Sequence, residues 1–283
     1  MQKVLLNNGV EMPLLGFGVF QITDQSVCEH SVLTALETGY RLFDTAACYG
    51  NERAVGSAIK KSGISREELF LCSKVWIQDA GYENTKVTFY KSLHNLQTDY
   101  LDLYLVHMPY GDYHGSWRAM EELYQEGKIR AIGVCNFLPD RLVDLVLSHE
   151  IIPAVNQIEL HPFCQQSDLR KVMERYKIQP MAWAPFAEGR EGIFQNKVLA
   201  KIGERYGKAP AQVILRWLVQ NKIVAIPKSI HSERIQQNYR IDDFELSAVD
   251  IERIEELDMQ QSMILEIQNL DEVYRLHSIY FEQ

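Results

Sequence analysis

The sequence predicts an α/β fold, a closed (β/α)8 barrel, and three observations predict it. Short apolar runs alternate with helix-length amphipathic segments eight times along the chain. The runs are nearly continuous in apolar character, as strands of an all-parallel sheet must be when helices cover them. The length of 283 residues, 46% of them hydrophobic, suits one barrel of about 250 residues with small additions. One domain over 1–283 is therefore expected.

Taken in order, Val4-Leu5-Leu6 and Val10-Glu11-Met12-Pro13 flank Asn8-Gly9, which predicts a hairpin with a two-residue turn. Strands follow at about 14–19, 40–44, 69–74, 101–107, 129–134, 154–158, 179–184 and 223–226. Helices alternate with them at about 25–38, 51–62, 82–97, 115–127, 138–148, 166–176, 209–221 and 231–238. Asp24 or Ser26 caps the first helix, and Pro139 and Pro210 stand in the opening turns of the fifth and seventh. Ser247 three residues before Asp250 resembles a capping box and marks an extra helix after the barrel. The tail, 259–283, mixes apolar and charged residues without clear periodicity.

A net charge of -9 and an isoelectric point near 5.4 argue against nucleic acid or an anionic membrane as partner. No run of about 18 apolar residues and no signal-peptide pattern occurs. Five scattered cysteines without a C-x-x-C pair suit a reducing compartment. A soluble cytoplasmic protein is expected, most simply a monomer, with a dimer left open.

The chemistry-bearing residues gather at strand ends. Asp44 closes the second strand, with Tyr49 just beyond; Lys74 closes the third and His107 the fourth. A cation ending a buried apolar run needs a compensating charge, and Asp44 is the obvious partner. Tyr49 beside that ammonium would have its pKa lowered, making it a proton donor near neutrality. Equally, Asp44 and Lys74 could form a structural ion pair, with Tyr49 and His107 as packed aromatics. Ala225-Ile-Pro-Lys228-Ser229 through Arg234 follows an apolar strand and opens a helix, so free N–H groups, Lys228, Ser229 and Arg234 could hold a phosphate. The plainer alternative is a capped, solvated helix start.

Asp44-Thr-Ala-x-x-Tyr49-Gly-Asn-Glu52, the strand ending at Lys74 and Val106-His107-x-Pro109 resemble the signature of the aldo-keto reductases. The likeness is to bacterial NADPH-dependent members such as the 2,5-diketo-D-gluconate reductases, and it runs from Leu15-Gly16-Phe17-Gly18 to about Asp258. The resemblance implies that the hairpin plugs the barrel bottom. It implies carbonyl reduction: hydride reaches carbon, Tyr49 gives the proton, Lys74 held by Asp44 acidifies the phenol, and neutral His107 hydrogen-bonds the carbonyl oxygen. NADP(H) is the implied cofactor, its 2'-phosphate gripped by Lys228, Ser229 and Arg234, with Gln237 and Asn238 near the adenine. G-x-G-x-x-G is missing, so the nicotinamide must be held differently; the resemblance implies Asn136 and Gln157 at its carboxamide and Trp183 on its face, and the plainer alternative is a turn residue, a core amide and a rim-packing indole.

Two departures from the family pattern are Cys135, where serine is common, and Ala184 after Trp183. The loop 187–194 is too short for the long belt some relatives carry, so an open pyrophosphate site is expected. Phe20, Cys48, Trp76 and Met108 would wall an apolar substrate pocket with no cation for an acidic substrate. Tyr110, Tyr113 and His114 lie in the fourth loop as further candidates. A metal site from His107, His161, Asp44 and Glu159 is not expected, since Lys74 occupies the centre. Two other readings stay open: a nucleotide-binding regulator on this fold, and a metal-dependent barrel hydrolase.

Overall fold

The computed structural model describes residues 2–281. Strands β1 (Lys3–Leu5) and β2 (Glu11–Pro13) form an antiparallel hairpin. Its loop differs from the predicted two-residue turn: Leu6 N–H bonds the Val10 carbonyl, and only Gly9, at φ +86°, is left-handed. That is a three-residue connection closed by one positive-φ glycine. Asn7 and Asn8 donate to the carbonyls of Pro153 and Arg130, beneath two barrel strands, and Met12 is fully buried. The hairpin thus seals the lower end.

Eight parallel strands make the barrel: β3 (Phe17–Gly18), β4 (Leu42–Asp44), β5 (Phe70–Val75), β6 (Leu101–Val106), β7 (Ile129–Cys135), β8 (Val155–Glu159), β9 (Gln179–Trp183) and β10 (Val224–Ala225). Each pairs with its sequence neighbour. The first and last meet through a parallel bridge between Leu15 and Ala225, extended by Gly16 N–H to the Ala225 carbonyl and Gly18 N–H to the Pro227 carbonyl. Gly16 is needed there, because a Cβ would lie 2.6 Å from the Ile226 and Leu42 side chains.

The helices are α1 (Gln25–Thr38), α2 (Glu52–Ser62), α3 (Tyr82–Leu96), α4 (Tyr113–Gln125), α5 (Pro139–Ser148), α6 (Ser167–Arg175), α7 (Lys197–Tyr206), α8 (Pro210–Gln220), α9 (Ser232–Tyr239), α10 (Ala248–Glu255) and α11 (Leu270–His277). Asp24, not Ser26, caps α1; Pro139 and Pro210 open α5 and α8; Ser247 and Asp250 form the expected reciprocal box. α4 begins two residues before its predicted start because Asp112 accepts the Gly115 N–H. Two helices lie outside the predicted set. α7 sits in the loop after β9, capped by Asn196 and ended by left-handed Gly207, with Leu199, Ile202 and Gly203 buried. α11 lies in the tail, capped by Asn269. No helix among the described residues is long and apolar enough to cross a membrane.

Barrel closure leaves no room between β7 and β8, where a Cβ on Gly133 would stand 2.5 Å from the Val155 carbonyl oxygen. Backbone cannot swing aside as a side chain can, so Gly133→Ala is expected to destabilise the fold by ~1–3 kcal/mol, measured as a lowered urea midpoint. An unchanged midpoint would show that the strands separate freely.

Candidate active site

Parallel strands deliver their last residues to one rim, and four ionisable groups meet there. β5 turns Lys74 into the barrel, where it is fully buried. Its Nζ donates to Asp44 Oδ1 at 2.7 Å and to the Thr45 carbonyl at 2.8 Å, and lies 3.4 Å from the Tyr49 hydroxyl. Burial, the largest influence, disfavours the ammonium, but Asp44 together with Tyr49, Cys72 and Cys135 outweighs it, and the Lys74 pKa stands well above its ordinary value. The second oxygen of Asp44 accepts from Gln157 Nε2 at 2.9 Å. The carboxylate is therefore fixed from two sides.

Tyr49 ends a short 3₁₀ turn, Ala47–Tyr49, just past β4. The expected acidification of its phenol is not what the free protein shows. Burial of the hydroxyl pushes its pKa up, and Lys74 offsets only part of that rise. The phenol thus stays protonated, with a cation beside its oxygen. His107 packs edge-on to Tyr49, ring centres 5.6 Å apart. Burial first, and Lys74 second, hold its pKa well below the usual histidine range, so its imidazole is neutral.

Asn51 and Glu52 complete the frame. Asn51 is fully buried; it accepts from the Thr45 hydroxyl and donates to the Val19 and Ile22 carbonyls, tying the loop after β3 to the site. Glu52 accepts from Ser73 Oγ at 2.6 Å and Asn95 Nδ2 at 3.2 Å. Thr45, inside the 44–52 segment, joins them through its hydroxyl to Asn51 and its carbonyl to Lys74.

The next three strands contribute two amides, Asn136 just past β7 and Gln157 within β8, and the Trp183 indole. Asn136 takes a left-handed backbone, φ 60°, which asparagine tolerates. Its Nδ2 donates to the His107 carbonyl at 3.2 Å, and its Oδ1 accepts from Trp183 Nε1 at 2.8 Å. Cys135 Sγ lies 3.5 Å from Gln157 Oε1. In the free protein the Gln157 amide is therefore spent on Asp44 and Cys135, and it positions the ion pair. Trp183 remains partly exposed.

Farther along the rim, Lys228 and Arg234 are exposed and enter no ion pair among the described residues. Ser229 Oγ accepts the His231 N–H at 3.1 Å before α9 begins. Asn238 is buried, and Gln237 is exposed one position earlier. In the short loop after β9, Glu188 Oε1 accepts from Gln21 Nε2 at 3.1 Å, a bridge to the loop after β3.

The tail supplies the wall that the sequence did not reveal. Cys48, Trp76 and Met108 pack with Leu276, and Leu265, Ile267, Ile279 and Phe281 lie against them. Trp76 Nε1 donates to the Ile279 carbonyl at 3.2 Å, Gln78 exchanges two hydrogen bonds with the Phe281 backbone, and Tyr110 donates to the Ile267 carbonyl. Phe20 stands apart from this cluster, half exposed, its ring centre 4.9 Å from that of Tyr49. Tyr113 and His114 turn away to Asp144. Among the described residues no three His, Cys, Asp or Glu side chains converge as metal ligands would.

Residues 14–259 match the model of the aldo/keto reductase family. The chain belongs to the aldo/keto reductase family. It is 50% identical over 259 residues to a glyoxal reductase of Bacillus subtilis, covering 91% of this chain and 93% of that one. It is 42% identical over 258 residues to methylglyoxal reductase DkgA of Escherichia coli O157:H7, covering 90% and 93%. The aldo-keto reductase of Bombyx mori, solved in complex with NADP, superposes with a TM-score of 0.89 at 30% identity, covering 94% of this chain and 95% of that one. As a member of this family the chain is an oxidoreductase.

In this family member the tail is anchored by Glu159, at the end of β8, which accepts from Ser262 Oγ at 2.6 Å and from the Met263 and Leu265 amides. Burial opposes its charge, but hydrogen bonds from His161, Ser262 and the Met263 amide hold the carboxyl below the ordinary glutamate range. The anchor is at full strength above that range and fades as pH falls through the lower folded value. Glu159→Gln is expected to raise intrinsic-rate-corrected amide exchange at Met263 and Leu265 about tenfold or more, the scale of a lost hydrogen bond to a charged group. Acidifying the native protein should do the same, whereas exchange indifferent to both would place the anchor elsewhere.

Proposed function

We propose that this protein reduces small uncharged aldehydes and ketones, glyoxal-type dicarbonyls among them, to alcohols with NADPH. The observation that carries the reading is the Tyr49 hydroxyl 3.4 Å from a Lys74 ammonium that Asp44 holds at 2.7 Å. Bound NADPH would supply hydride to the carbonyl carbon. Tyr49 would release its proton to the oxygen as negative charge develops there, and Lys74 would stabilise the phenolate left behind. His107, neutral, would orient the same oxygen by a hydrogen bond. The apolar lining of Cys48, Trp76 and Met108 and the names of the two bacterial relatives support a small, uncharged substrate.

The residues fit the cofactor. Lys228 and Arg234, cations without ion-pair partners among the described residues, flank the start of α9, whose first amides have no partners within the helix. Together with Ser229 they would hold the 2'-phosphate, and Gln237 and Asn238 would lie toward the adenine. Trp183 would stack on the nicotinamide, with Asn136, Gln157 and Cys135 at its carboxamide. A single domain working as a monomer in a reducing cytoplasm completes the proposal, and five unpaired cysteines suit it.

NADPH absorbance should fall when the protein meets glyoxal or methylglyoxal. Tyr49→Phe is expected to lower kcat about a hundredfold or more, the range of general acid catalysis, while NADPH still binds; retained turnover would take the proton donor's role from Tyr49. Arg234→Ala is expected to weaken NADPH by ~1.5–3 kcal/mol, a charge-assisted hydrogen bond, and to leave NADH nearly unaffected. Equal losses for the two cofactors would defeat the 2'-phosphate assignment.

A further inference from the structure

His107 can assist a carbonyl oxygen only if the nitrogen facing the pocket carries a hydrogen. A neutral imidazole has one N–H, so the neighbour of the other nitrogen decides where it sits. Nδ1 of His107 lies 3.4 Å from Cys48 Sγ, and the side chain has no other hydrogen-bond partner among the described residues. Cys48 is itself buried beside Trp76 and Met108, one residue before Tyr49.

Two arrangements satisfy this contact. In one, the thiol donates to Nδ1 and Nε2 bears the hydrogen. In the other, Nδ1–H donates to sulfur, leaving the thiol hydrogen without an acceptor and a bare lone pair at Nε2. Either bond is weak, because S–H is a weak donor and sulfur a weak acceptor, but only the first arrangement uses the thiol hydrogen and leaves no bare lone pair at Nε2. The second would also offer Nε2 as a competitor for the proton of Tyr49. Burial keeps the groups in the required states: the Cys48 thiol is pushed up to about 12, and the imidazole stays neutral.

We propose that Cys48 is a positioning residue whose thiol donates to His107 Nδ1 and thereby sets the ring as the tautomer with Nε2–H directed at the substrate oxygen. The assignment rests on the carbonyl-reductase reading above. It gives the oxygen two converging donors, His107 Nε2–H and Tyr49 O–H, where charge develops. The thiol itself never meets the reacting atoms in this account, and a serine hydroxyl can replace it.

The test uses NADP-loaded protein carrying 15N-histidine, in native, Cys48→Ala and Cys48→Ser forms. The native spectrum should show His107 protonated at Nε2 and unprotonated at Nδ1. Cys48→Ala should mix the tautomers and lower kcat for methylglyoxal about three- to tenfold, the scale of one ordinary hydrogen bond, with NADPH affinity unchanged. Cys48→Ser should recover the tautomer and most of the rate. Protonation at Nδ1 in the native protein, an unchanged alanine variant, or a serine variant no better than alanine would overturn the proposal. If the native protein reduces no carbonyl, the functional reading fails, and the nitrogen spectrum alone then decides the hydrogen bond.

Discussion

The structure depends on an ion pair inside an apolar barrel. Lys74 has no exposed surface, and Asp44 very little. Removing such charges from water costs several kcal/mol per ion, recovered only when geometry and further hydrogen bonds are good. Here they are: Thr45 offers a carbonyl to the ammonium, and Gln157 offers an amide to the carboxylate. These partners come from β5, the end of β4 and β8, so one pair couples three strand registers across the barrel. A slip of one residue in any of them would turn its polar group away and leave a buried charge unmatched, which costs ~3–5 kcal/mol.

The same economy governs the mouth. Strand ends supply the polar groups, and the tail supplies the apolar cover, so the two halves of the pocket are joined by few bonds. Glu159, Tyr110, Trp76 and Gln78 each bond the backbone of the tail. Backbone contacts hold a segment in place with little regard to its side chains, which leaves Leu276, Ile279 and Phe281 free to define the pocket's shape. With its N–H bonded to Ile279, the Trp76 indole presents the pocket with carbon surface. That donor is therefore already used and is not offered to a substrate.

What could be read from the chain alone follows from where the physical signal is local. Continuous apolar runs located the eight strands, and ionisable residues at the ends of three of them located the site, because buried charge without a reason is improbable. α7 carried local signals too, an asparagine cap and a terminal glycine, but its place inside a strand-to-helix connection masked it. The tail was opaque for another reason. Its order comes from long-range contacts, such as Ser262 with Glu159 at a separation of 103 residues and Ile279 with Trp76 at 203, and no window of sequence holds both partners. The acidity of Tyr49 departs from expectation in direction: the ammonium is legible in the sequence, whereas the depth of the hydroxyl is not, and burial dominates.

The burial of that hydroxyl sharpens the proposed chemistry. Three groups at the rim carry protons, and their environments push them apart. Lys74 is held charged by Asp44, and giving up its proton would strand the carboxylate in the interior. His107 is kept neutral by burial and by the nearby ammonium, so it can share a hydrogen bond but has no surplus proton to lose. Tyr49 alone is a neutral acid whose conjugate base would arise beside a cation already in place. In the free protein that proton is firmly held. It would leave only when a more basic oxygen, one gaining charge as hydride arrives at its carbon, came within reach, so proton loss is tied to the event that needs it.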